Sequence, residues 1–197
     1  LINEFEKALL RDEPILLDGG LATELETQGF DIAGDLWSAA LLQSNPAAIV
    51  CAHRAYLDAG AECIISASYQ ASRPGFMSLG LSAARSEQLI TSSVQLACTA
   101  RDEFLAANPQ VKKSPMVAAS IGPYGAALAD GSEYTGSYDI SAAELRAFPE
   151  SRREILDRSG AGLLACETIH DIAEAQVLRA FVNNSATAAW VAFSGRG

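Results

Sequence analysis

The sequence has no C-x-x-C pair: its four cysteines, Cys51, Cys63, Cys98 and Cys166, stand far apart. That spacing excludes a zinc knuckle and a redox dithiol. Their neighbours are apolar, which predicts buried free thiols in a reducing, cytoplasmic setting. Clustered positive charge is missing too. The 14 Lys and Arg are scattered among 24 Asp and Glu, the net charge is -10, and Lys112-Lys113 is the lone lysine pair. Binding to a nucleic-acid backbone or an anionic membrane needs clustered cations, so neither partner is expected. No run is long and apolar enough to span a bilayer. The opening residues, Leu1-Ile2-Asn3-Glu4-Phe5-Glu6-Lys7, lack the order of a signal peptide. No G-x-G-x-x-G follows the first apolar run, which removes the main fingerprint of a dinucleotide site.

What the sequence holds in quantity is apolar residues, 49%, against 19% charged. This is the composition of a globular protein, and 197 residues suffice for one domain with a sizeable core. Residues 2–11 read as a short amphipathic helix that Pro14 ends. Residues 15–17 form a first strand that runs into Asp18-Gly19-Gly20, and residues 22–28 form a helix closed by Gly29. Residues 31–36 are a loop leading to Trp37. Ser44-Asn45-Pro46 starts a helix bearing His53 and Tyr56, which Gly60 stops. Residues 63–70 begin as a buried parallel strand and end in polar side chains. Residues 82–107 are the longest helix, 116–120 a third strand, and 125–138 a loop whose length suits a site. Ser141 and Glu144 make a capping box for a helix over 141–156, in which Pro149 predicts a kink or two pieces. A fourth strand, 163–166, delivers Glu167-Thr168. A helix over 172–181 and a fifth strand, 189–193, follow.

Alternating βα units imply a parallel sheet wrapped by helices. Each strand hands over to a polar residue: Asp18, Ser66 or Ser68, Ser120, Glu167 and Ser194. Polar residues gathered at one strand end favour the site face of a TIM-type (β/α)8 barrel over a doubly wound sheet. Five units fall short of eight, so the expectation is an incomplete barrel: one domain over 1–197 whose C-terminal strands lie outside this sequence.

The stretches Leu17-Asp18-Gly19-Gly20-Leu21-Ala22-Thr23-Glu24-Leu25, Asp35-Leu36-Trp37-Ser38-Ala39 and Ile65-Ser66-Ala67-Ser68-Tyr69-Gln70-Ala71 carry a family likeness. So do Ser120-Ile121-Gly122-Pro123-Tyr124-Gly125-Ala126, Ala129-Asp130-Gly131-Ser132-Glu133-Tyr134 and Leu164-Ala165-Cys166-Glu167-Thr168. In order and spacing the chain resembles the homocysteine S-methyltransferase family, in the branch that uses S-methylmethionine or S-adenosylmethionine. The resemblance implies a (β/α)8 barrel that methylates the thiol of homocysteine to give methionine. It implies that Asp18 and Glu167 hold the amino group, that backbone at Gly19 and Gly20 lines the carboxylate end, and that Thr168 adjoins them. Trp37 and the strand end Ser68-Tyr69-Gln70 would border the donor. It also implies Zn2+ held by three cysteines, one after the sixth strand and two in a Gly-Gly-Cys-Cys motif after the eighth; neither segment is in this sequence. The 197-residue chain alone is therefore expected to be inactive. Where the family has a histidine this chain has Pro149, and after the fifth strand Ser194-Gly195-Arg196-Gly197 replaces Ser-Cys-Arg-Asp or similar.

The chemistry of the residues agrees. Two carboxylates suit an ammonium group, and an aromatic such as Trp37 suits a sulfonium. Plainer readings stand beside these. Asp18 serves equally as a hydrogen-bonded turn residue, and Trp37 as a core anchor. His53 reads as a packed histidine and His170 as a solvated one; Trp190 and Cys166 read as packing. Other functions are a non-catalytic fragment or binding module with an open edge, and a barrel glycosidase using Glu167, disfavoured by few aromatics. A Schiff-base aldolase fails because Lys112 and Lys113 precede the third strand, at the wrong end of a barrel.

Overall fold

Parallel strands cannot be joined by a tight turn; each needs a crossover of a dozen residues or more. The computed structural model describes residues 4–11, 14–30, 37–128, 130–136 and 138–195, with Glu4, Trp37 and Ser38 as backbone only. Helix α1 spans Glu4–Leu9, α2 Leu21–Thr27, α3 Trp37–Ser44 and α4 Pro46–Asp58; strand β1 is Cys63–Ile65. Helices α5 (Arg73–Ser78) and α6 (Ala83–Ala107) lead to β2, Met116–Ile121. Helix α7 (Tyr124–Leu128), a 3-10 turn (Ser132–Tyr134) and α8 (Ala142–Leu156) lead to β3, Leu163–Ile169. Helix α9, Ile172–Asn184, leads to β4, Ala189–Phe193. The four strands are all parallel and stand in the order β1-β2-β3-β4.

The helices begin where the sequence supplies caps. Asn45, Ser72, Ser82 and Asp171 each accept a backbone N–H of the first turn of α4, α5, α6 and α9. Ser141 and Glu144 form the capping box of α8. Each such cap is worth about 0.5–2 kcal/mol.

Strand alternation splits the core in two. Ile64, Val117, Ala119, Ile121, Leu164 and Cys166 face the helices. Cys63, Met116, Ala118, Leu163 and Ala165 face the other way, where they meet Ala8 and the ring of Phe5, 5.6 Å from Trp190. Helices α4, α6, α8 and α9 thus pack on one face and α1 lies on the other, the layering of a barrel wall and not of a doubly wound sheet.

Three expectations need correction. The first of the five strands is a single parallel bridge, Leu17 to Cys63. Pro14 has no N–H to give, and the Leu16 N–H goes to the Glu62 carboxylate at 3.3 Å, so no ladder extends upstream. Helix α8 runs through Pro149 as one element, so of the kink and the two pieces expected there, the two pieces are set aside. The burial of Leu145, Phe148, Pro149, Arg152, Ile155 and Leu156 outweighs the roughly 3 kcal/mol that an interior proline costs. The segment 125–138, expected as loop, holds most of α7 and the 3-10 turn. The predicted loop at 31–36 lies outside the described residues.

The cysteines are all free, but only Cys63 and Cys166 are buried; Cys98 is half-buried and Cys51 exposed. Helix α4 buries Ala48, Ile49, Ala52, His53 and Leu57, which turns position 51 outward although its sequence neighbours are apolar. Among the described residues no helix is long and apolar enough to cross a membrane.

Candidate functional site

Because Met116, Ala118 and Leu163, Ala165 fill the inner row, the next inward positions at the strand ends are Ser120 and Glu167. The hydroxyl of Ser120 donates to Glu167 Oε1, binding β2 to β3 through their functional ends. Asp18 arrives beside them from the bridge at Leu17. Its N–H donates to the Cys63 carbonyl at 3.0 Å, and its Oδ2 accepts the Ile65 N–H at 2.7 Å. Its Oδ1 is buried without a partner. Burial first, and then the charge of Glu167, push Asp18 up to about 7 against the opposing Ile65 bond. Burial also raises Glu167, opposed by Ser120. The two carboxylates therefore occupy one mouth, and among the described residues no cation acts on either.

β3 is irregular just past Glu167. Cys166 pairs with Val191 and Ile169 with Phe193, so β3 has one residue more than β4 between these rungs. The excess is absorbed at Thr168, the sole non-glycine residue at positive φ, 62°, among the described residues. A β-branched residue there is strained, and strain of this kind gathers at sites. Burial pushes the ionisation of the Tyr69 hydroxyl up, and the nearby Thr168 side chain opposes that.

A cavity of about 190 Å³ opens here, lined by Gly19, Gly20, Ile65, Tyr69, Gln70, Ser120 and Glu167 among others. The Gly19-Gly20 turn is held from behind: Tyr56 donates its hydroxyl to the Gly20 carbonyl at 3.0 Å. A Cβ on Gly19 would stand 3.0 Å from that hydroxyl oxygen, so the turn packs too closely for a larger residue. Gln70 is buried with Nε2 unpartnered. Ser68 is also buried, but its hydroxyl is engaged by the Ser120 carbonyl at 2.7 Å and by Ser66 Oγ at 2.8 Å. Trp37 opens α3; its side chain lies outside the described residues. His170 Nδ1 donates to the Ser194 carbonyl at 2.9 Å, and His53 is fully buried and held down to about 4 by burial. Cys166 packs toward the helices and Trp190 toward α1.

Sequence reading missed several side chains that build this mouth. Arg152 and Glu174, on α8 and α9, are buried behind it, and Glu133 is buried with Oε2 unpartnered. Charged residues on an amphipathic helix read as a solvated face, and no local signal marks these as inward. Tyr56 was legible as a helix residue only.

Among the described residues no three His, Cys, Asp or Glu side chains converge on a point where a metal could sit. Cys63 and Cys166 lie on opposite faces of the sheet, and burial pushes both thiols up to about 12, the reverse of what a thiolate ligand needs. These residues do not fit a zinc centre. A larger cavity, about 390 Å³, lies against α1 and is lined by Phe5, Ala8, Leu9, Pro14, Ile15, Leu17 and Trp190. None of those lining residues is ionisable.

The profile of the family described as Homocysteine S-methyltransferase matches residues 15–196. The homocysteine S-methyltransferase YbgG of Bacillus subtilis is 48% identical over 185 residues, 92% of this chain and 59% of the relative. A homocysteine S-methyltransferase of Escherichia coli is 46% identical over 195 residues, 98% of this chain and 63% of the relative. The solved structure of the homocysteine methyltransferase MmuM of Escherichia coli, in a metallated form, matches with a TM-score of 0.87 at 48% identity, covering 95% of this chain and 66% of that one. The chain thus spans about 60% of the length of the curated relatives it matches, and its strands form part of a (β/α) barrel wall.

Proposed function

The chain belongs to the homocysteine S-methyltransferase family, and on that premise we propose that its strand-end cavity holds the amino-acid head of homocysteine for methylation at sulfur. The observation that carries this is the Asp18–Glu167 mouth. A buried acceptor, Asp18 Oδ1, has no partner, and Glu167 supplies a second carboxylate in its field. An ammonium satisfies both, because hydrogen bonds between ionised groups are about twice as strong as neutral ones. The unpartnered Gln70 Nε2 and the close backbone at Gly19 and Gly20 offer donors and room for the ligand's carboxylate.

In this reading the methyl donor is a sulfonium, S-methylmethionine or S-adenosylmethionine, approaching from the side of Trp37, Ser68 and Tyr69. The new S–CH3 bond forms on homocysteine sulfur as the donor's S–CH3 bond breaks. The donor leaves as a neutral thioether and the homocysteine thiol gives up its proton to solvent. The residues described here orient the nucleophile. Zn2+, implied by the resemblance, finds no ligand set among them, so no step is derived through it. The free cysteines support a cytoplasmic setting. Family membership sets aside the glycosidase alternative.

Titration calorimetry of the chain with L-homocysteine tests the reading. Asp18→Asn and Glu167→Gln are each expected to weaken binding about 10- to 100-fold, from roughly 1.5–3 kcal/mol per hydrogen bond to a charged group. Wild-type affinity in both variants, or no binding by the parent chain, rejects it.

A further inference from the structure

Two charged side chains behind the cavity have no place in the reading above. Arg152 on α8 is 1% exposed and Glu174 on α9 is 2% exposed. Among the described residues neither makes a direct ion pair, and both bond to the rim of the site. Arg152 Nη1 donates to the Tyr69 carbonyl at 3.3 Å and Nη2 to the Gly122 carbonyl, while the guanidinium lies 4.4 Å over the Phe148 ring. Glu174 Oε1 accepts the Tyr124 N–H at 2.7 Å, and Oε2 accepts the Tyr138 hydroxyl at 3.2 Å. Tyr124 in turn meets the rings of Tyr138 and Phe148 edge-on. The two charges thus grip the end of the turn after β1, the segment after β2, and the return of that segment at Tyr138.

The packing between the gripped parts leaves no slack. A Cβ on Gly122 would stand 2.5 Å from the Tyr69 carbonyl oxygen. Two carbonyl oxygens that both accept from one guanidinium repel each other when it is gone. Buried charges seldom stabilise a fold more than well-packed apolar residues do, so stability alone does not account for the pair. Geometry does. Tyr69 lines the cavity and precedes Gln70, whose amide is the free donor there.

We infer that Arg152 and Glu174 are positioning residues: a buried pair of opposite charges that sets Tyr69-Gln70 and the 122–138 segment against the ligand cavity. The ligand named in the test, L-homocysteine, rests on the function proposed above.

The test compares Arg152→Met, Glu174→Gln and the double variant with Leu89→Ala, a buried control on α6. The readouts are residue-resolved hydrogen exchange and L-homocysteine affinity. Exchange is expected to quicken at least about tenfold in residues 66–72 and 122–138, and to stay unchanged in α4 and α6. The dissociation constant is expected to rise about tenfold in each single variant, and by less than the product in the double, since coupled residues are non-additive. Leu89→Ala should raise exchange broadly and leave affinity alone. Should the methionine variant not fold, Arg152→Lys keeps the charge and tests the fork by the same two readouts. Exchange that rises everywhere alike overturns the inference, and so does local loosening with unchanged affinity. If the parent chain binds no L-homocysteine, the proposed function falls. The exchange pattern then decides the clamp alone: a local rise upholds it, a uniform one overturns it.

Discussion

Asp18 titrates near pH 7 because it is buried and Glu167 lies in its field, and an arriving ammonium reverses the second cause and offsets the first. Part of the empty population holds a proton on Asp18 at neutral pH, and ligand must displace it. Binding of L-homocysteine is therefore expected to release protons at pH 6.5–7 and to tighten as pH rises toward 8. Calorimetry in buffers of different ionisation enthalpy reads the release directly. Asp18→Asn should bind weakly and release none; a wild type that binds with no proton change contradicts the assignment. The same shift has a signature in the ligand-free fold. Folded Asp18 keeps a proton that the unfolded chain has already lost, so its contribution to stability is full below about pH 4 and disappears as pH rises through 7. His53 acts in the opposite sense, held to about 4 by burial and costing stability as pH falls below 6.5. The difference between wild type and Asp18→Asn cancels that term.

At the scale of an element, β3 is the decisive one. It reads in sequence as four apolar residues handing over Glu167, and period-two alternation correctly sets Glu167 opposite Cys166. The extra residue at Thr168 is not legible, because a bulge is defined against β4 and not within β3. Thr168→Gly removes a Cβ from a left-handed position, which stores roughly 1–2 kcal/mol. Thermal unfolding is expected to shift up by about 2–8 °C, while L-homocysteine affinity falls as the strand end that carries Glu167 loosens. Stability and affinity moving down together would mean that Thr168 packs and does not aim. Helix starts were legible for the converse reason. Asn45, Ser82 and Ser141 act within a turn of their own positions, so local sequence contains the whole interaction. Pro149 does not divide α8, because its cost is local while its compensation, the buried face of the helix, is tertiary.

For the molecule as a whole, the succession of βα units and the row of polar strand ends were readable from apolar runs and their punctuation. The buried charges Arg152 and Glu174 were not, since what they hold lies 30 to 83 residues away along the chain. The first strand shows the same limit. Its apolar run is real, yet only Leu17 pairs, leaving Leu16 and Leu17 56% and 44% exposed. A parallel sheet ordinarily buries both faces, but here the inner face carries α1 and an apolar cavity of about 390 Å³. Exposed apolar surface of that kind attracts apolar ligands and other chains. The environment-sensitive dye ANS is expected to bind the folded chain with strong fluorescence, drawing energy from Trp190, which borders the cavity. Leu9→Glu, at a 61% exposed position on the cavity wall, should cut that signal several-fold without lowering the unfolding temperature, because it adds a solvated charge and removes no buried contact. L-homocysteine should leave the signal unchanged, since its cavity and this one share no lining residue. Competition between the two ligands would show that the apolar cavity and the strand-end mouth are one continuous space.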